Sequence, residues 1–96
     1  MKNKQPEYYI LGRLKNHVGE ENAITGKEIG IPGSELRYYI NKLRKKGFPI
    51  CSSGNGYWWA RDWQDINRVS KSLKRRAKAI NEAAYYLENS DINKTI

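Results

Sequence analysis

The sequence predicts an α+β domain with one core, in which short helices precede a β-hairpin and a long helix follows it. Three observations carry this expectation. Leu36, Tyr39, Ile40 and Leu43 recur at helical spacing. Pro49–Ala60 holds two short β-prone stretches around Gly54-Asn55-Gly56. Ile66, Leu73, Ile80 and Leu87 fall at seven-residue intervals. At 96 residues the chain matches the usual size of a single domain.

The elements follow in order. Residues 1–6 are polar and expected to be frayed or disordered. Pro6 suits the first turn of a helix, and Ile10, Leu11, Leu14 and Val18 share one face of a helix expected over about 7–18, with Gly19 as its stop. Thr25 and Glu28 form a capping box for a helix that Gly30 ends within little more than a turn. Pro32-Gly33-Ser34 opens the best-defined amphipathic helix, which runs over 34–46 to Gly47 with cations in its last turns, where they complement the helix dipole. The hairpin follows over about 50–60. Alternation puts Tyr57 and Trp59 on one face, expected to pack over Leu36 and Ile40, and Trp58 on the other. Trp58 then either stacks on a sugar or partner, or covers the last helix near Trp63. Asp62 is the expected N-cap of that helix, over about 63–87, with Val69 and Ala83 at the intervening heptad position and Arg76 interrupting it. Such a seam packs on its own domain or pairs with another copy. Residues 89–96 are expected to be a loose tail.

Helix, very short helix, basic helix and hairpin within about 55 residues is the order of a winged helix-turn-helix, whose third helix enters a major groove while the hairpin lies over the adjoining backbone. The winged domain is expected over 7–61 and the appended amphipathic helix over 62–88. Gly30-Ile31-Pro32-Gly33-Ser34-Glu35-Leu36-Arg37-Tyr38-Tyr39-Ile40-Asn41-Lys42-Leu43-Arg44-Lys45-Lys46-Gly47 resembles the N-terminal DNA-binding domain of biotin operon repressors. Phe48-Pro49-Ile50 and Gly54-Asn55-Gly56-Tyr57 look like the same family's wing. With Trp58-Trp59-Ala60 and Ser72-Leu73-Lys74-Arg75-Arg76, the chain is also similar to small winged-helix proteins of phages and prophages of Gram-positive bacteria. The resemblance implies duplex DNA binding in transcription regulation or in phage replication and recombination. It departs from the family at Pro32 and Gly33, where a capping Ser or Thr is common, and in its shortened second helix.

Composition agrees with a polyanionic partner. The net charge is +8 and the pI about 9.7. The excess is concentrated: residues 27–78 carry 13 basic and four acidic side chains, the rest five and six. Ser34, Glu35, Arg37, Tyr38 and Asn41, on the outward N-terminal half of the third helix, are the candidate base contacts. Arg37 has the donors to bond guanine twice, and Asn41 can pair bidentately with adenine. Candidate backbone contacts are Lys27, Lys42, Lys45, Ser53, Asn55, Arg68, Lys71 and Arg75, because phosphate contacts supply affinity without sequence information. Arg68, Lys71, Arg75 and Lys78 form one stripe of the last helix, beside Lys74 and Arg76. Ile66, Leu73, Ile80 and Leu87 are the candidate dimer seam.

Other classes fit poorly. The longest apolar run is Ala83–Leu87, five residues, against the roughly 18 that span a bilayer, and the first residues lack the pattern of a secretory signal. A cytoplasmic location in a bacterial or phage-infected cell is therefore expected. A single cysteine, Cys51, and a single histidine, His17, give no disulfide and no zinc framework, so no metal or cofactor is expected. No nucleophile-base pair, paired carboxylates or nucleotide loop is present, and the chain is not expected to be an enzyme. Two functions remain: a duplex DNA-binding module, and a protein-interaction module that meets an acidic partner through its basic face.

Overall fold

The computed structural model describes residues 6–96; the expected fraying of residues 1–5 falls outside them. Four helices and one hairpin follow in the order α1 (Pro6–Leu14), α2 (Gly26–Ile29), α3 (Gly33–Lys45), β1 (Ile50–Ser53), β2 (Gly56–Trp59) and α4 (Trp63–Glu88), with a 3-10 turn at Glu20–Asn22. The architecture is α+β: a helical N-terminal region, a two-stranded antiparallel sheet and a long C-terminal helix. No helix among the described residues is long and apolar enough to cross a membrane.

Helix α1 starts at Pro6, whose missing N–H is no loss in a first turn. It buries Ile10 and Leu14 and ends at Leu14, four residues before the expected Val18. The hairpin's edge explains the difference. Trp59 N–H donates to His17 O at 2.8 Å and Gly19 N–H to Trp59 O at 3.0 Å, which draws Val18 into a parallel bridge with Trp59. Extended backbone suits a β-branched residue. His17 therefore sits beyond the helix end, where its Nδ1–H donates to Asn22 O at 2.7 Å. Gly19, at φ +85° under the Arg61 guanidinium, is a crossing point and not a helix stop.

The capping box forms as expected: Thr25 Oγ1 accepts from Glu28 N–H at 3.1 Å, and Glu28 Oε1 accepts from Thr25 N–H at 2.8 Å. Leu36, Ile40 and Leu43 of α3 join Ile10, Leu14, Ile24, Ile29 and Ile50 in the main core. The strand register pairs Ile50 with Trp59, Cys51 with Trp58, Ser52 with Tyr57 and Ser53 with Gly56. Gly54 and Asn55 thus form a two-residue turn. The positive φ falls just after it, at Gly56 (+121°), where Tyr57 and Ile24 also exchange backbone hydrogen bonds of 2.9 and 2.8 Å.

Two cores meet at this hairpin because its faces alternate. Ile50, Tyr57 and Trp59 face the helices, while Cys51 and fully buried Trp58 face Val69 and Leu73 of α4. Trp58 takes the structural role, but on Val69 and Leu73; Trp63 is 75% exposed. Its indole N–H reaches no acceptor in full hydrogen-bond geometry, although it faces the Asp65 carboxylate and helps to hold that group's pKa low, after the larger effect of the Arg61 N–H. Asp62 caps α4 through Asp65 N–H at 3.1 Å. Every residue from Lys74 onward is exposed, so the second half of α4 projects from the body.

Candidate nucleic-acid interface

The basic faces of α3 and α4 converge in part on one cleft of about 560 Å³, closed on one side by the hairpin. Helix α3 contributes Arg37, Asn41 and Arg44; the hairpin contributes Ser52, Ser53 and Gly54; α4 contributes Arg68, Ser72, Arg75 and Arg76. Five of the lining residues are arginines and none is acidic. The helical repeat explains the grouping. Arg37, Asn41 and Arg44 lie at i, i+4 and i+7 on the flank of α3 beside its buried stripe, and Arg68, Ser72, Arg75 and Arg76 hold the matching positions on α4.

Two of the five arginines are structural anchors. Arg44 Nε donates to Ile50 O at 2.8 Å and its Nη2 to Ser52 Oγ at 3.1 Å, which ties α3 to β1. Burial lowers its pKa, and Arg76 lowers it further by repulsion between like charges. Arg68 donates to Glu20 at 2.9 Å and to Asp65 at 3.2 Å, and its guanidinium lies 5.9 Å from the Trp58 ring centroid. Among the described residues no carboxylate pairs with Arg37, Arg75 or Arg76. These three guanidiniums are free to meet an anion.

One carboxylate fixes the cleft's outer wall. Glu20 accepts from Ser53 Oγ at 2.7 Å, Asn55 Nδ2 at 3.1 Å and Arg68 Nη1 at 2.9 Å, so that the 3-10 turn joins the hairpin tip to α4. These bonds lower its pKa, the Ser53 hydroxyl most. Ser53, Asn55 and Arg68, read from the sequence as backbone contacts, therefore spend donors on holding the hairpin in place.

The outer face of α3 is open. Ser34, Glu35, Arg37, Tyr38 and Asn41 are all exposed, and Ser34, Tyr38, Asn41 and Lys45 line up along the helix at spacings of four, three and four. Lys42 is half-buried. Its ammonium lies 3.3 Å from Glu7 and 5.4 Å from the Tyr38 ring centroid, and the Glu7 hydrogen bond raises its pKa. Lys46 approaches the same carboxylate at 2.6 Å and is the main cause of its lowered pKa. Lys27 is exposed on α2, away from the cleft lining, and Lys71 and Lys78 lie outside that lining on α4. The α4 stripe that faces the cleft runs through Arg68, Ser72, Arg75 and Arg76 rather than Arg68, Lys71, Arg75 and Lys78.

Reading the sequence alone misses Glu20 and Arg44, and sets Arg76 only beside the basic stripe. Arg76 breaks the heptad pattern because it turns toward the cleft, a signal visible in its i+8 spacing from Arg68. The seam is divided: Ile66 and Leu73 are half-buried against the domain, whereas Ile80 and Leu87 are exposed. Cys51 is buried and its thiol is pushed up to about 11, so it stays protonated at neutral pH. Comparison with protein-family models, characterised proteins and solved structures finds no match for this chain.

Proposed function

We propose that this chain binds duplex DNA as a winged helix-turn-helix protein, in the cytoplasm of a bacterial or phage-infected cell, as a regulator of transcription or an accessory of replication. The observation that carries the reading is the arginine-lined cleft beside the exposed face of α3. In this reading Ser34, Tyr38 and Asn41 approach base edges in a major groove. Arg37, Arg75 and Arg76 hold phosphates of the strand that passes between α3 and α4, and the hairpin tip lies against the adjoining backbone. Guanidinium suits this task, since its planar fork meets two phosphate oxygens at once. Glu35 accepts from a cytosine amine or repels a misplaced phosphate, and so contributes to selectivity.

A salt-sensitive gel shift on duplex DNA tests the reading. Arg37→Ala and Arg75→Ala are each expected to weaken the shift. Absence of binding at low salt, or binding that neither change affects, would overturn it and favour an acidic protein as the partner of the basic face.

A further inference from the structure

The half of α4 that projects from the body carries its own apolar seam. Leu73 is occupied by the Trp58 core, but Ala77, Ile80, Ala84 and Leu87 continue at spacings of three, four and three along one side of the exposed helix. Ile80 is 67% exposed and Leu87 74%. A helical segment of about 15 residues without tertiary packing is only marginally stable in water.

One charge on this segment stands against the helix dipole: Glu88, at the C-terminal end of α4. Lys74, Arg75, Arg76 and Lys78 come first and Glu82 and Glu88 come last, with no basic residue in the last turn. Acidic groups at a helix C-terminus are unfavourable unless cations from elsewhere lie beside them.

We propose that residues 74–88 of α4 pair antiparallel with the same segment of a second copy of this chain. In the register that meets both constraints, Ala77 faces Leu87 of the partner subunit and Ile80 faces Ala84 of the partner subunit, with the reciprocal layers completing the seam. Each layer sets a large side chain against an alanine, which lets the helices approach closely and leaves no void. Lys74 then lies beside Glu88 of the partner subunit at both ends, and Asn81 meets its symmetry mate near the two-fold axis. Parallel pairing would instead bring the two basic clusters together and force both bodies to the same end.

Sedimentation equilibrium of the full chain, followed by disulfide trapping, tests the proposal; it is independent of DNA binding. A dimer is expected at micromolar concentration, and Ile80→Asp, at an exposed position outside the core, is expected to raise its dissociation constant by more than about tenfold while the tryptophan fluorescence is unchanged. Mixed K74C and E88C chains should cross-link to each other, and each alone should not. Cys51 does not compete, because it is buried and protonated. A chain that stays monomeric at high micromolar concentration, a dimer that Ile80→Asp leaves intact, or K74C chains that cross-link to themselves in preference would each overturn it.

Discussion

Gly56→Ala is expected to cost far more than Gly54→Ala, although the two glycines flank a single residue of the same turn. At Gly56 the backbone is held at φ +121°, and an added Cβ would lie 2.5 Å from Ile24 O and 2.8 Å from Ile24 C. Both obstacles are main-chain atoms, which cannot rotate away. The backbone conformation alone costs an L residue about 1–3 kcal/mol. Separating Ile24 from Tyr57 breaks their two hydrogen bonds, at about 1 kcal/mol each. Together the loss is about 3–5 kcal/mol, a large part of the roughly 5–14 kcal/mol expected for a domain of this length. At about 4–8 °C per kcal/mol, Tm falls by about 12–40 °C. At Gly54 nothing lies within 4 Å of the added Cβ and φ is not positive, so Ala there should change stability by less than about 1 kcal/mol. Urea titration of both variants, followed by Trp fluorescence, measures the difference. Equal midpoints within error would refute the claim that the Ile24 bridge holds the hairpin.

Trp58→Ala should destabilise by about 3–5 kcal/mol, because it empties the centre of the second core and releases the first half of α4; a two-state urea transition unchanged from the parent would contradict this. Glu20 has a folded-state pKa below its ordinary 4.5, so its contribution is present above that value and is lost as pH falls through the lowered folded-state value. The Asn55 side-chain amide resonances should shift over that acid range, and in Glu20→Gln they should not respond to it. Arg44→Ala removes the bonds to Ile50 O and Ser52 Oγ and should cost about 1–3 kcal/mol, measured by thermal melting with DNA absent.

Local signals in the sequence account for the elements and their order. The Thr25–Glu28 capping box, the apolar stripe of α3, the glycine turn and the Asp62 cap each depend on residues only a few positions apart, which makes them readable in one dimension. The misplaced end of α1 depends on a distant strand: nothing near Val18 reveals that Trp59 offers it a backbone pair. The cleft is the same kind of feature. Arg37 and Arg75 can be read as exposed cations on two helices, but their meeting depends on how α4 crosses the hairpin, and that crossing is set by Trp58 and Val69. Glu20 is a polar loop residue in sequence and a three-way clamp in space. The +8 charge thereby becomes a specific arrangement, with Lys42, Lys46 and Arg68 neutralised by Glu7, Glu20 and Asp65, and Arg37, Arg75 and Arg76 left for a partner.

The central claim is that those three arginines hold phosphates, and the salt dependence of duplex binding tests it most directly. Fluorescence anisotropy of a labelled duplex, repeated across salt concentrations, gives a log–log slope of about −0.9 per phosphate neutralised. The arrangement predicts a slope of at least about −2.7 for the parent chain, shallower by about 0.9 in R37A and again in R76A. A slope near zero, or one that neither substitution changes, would contradict it.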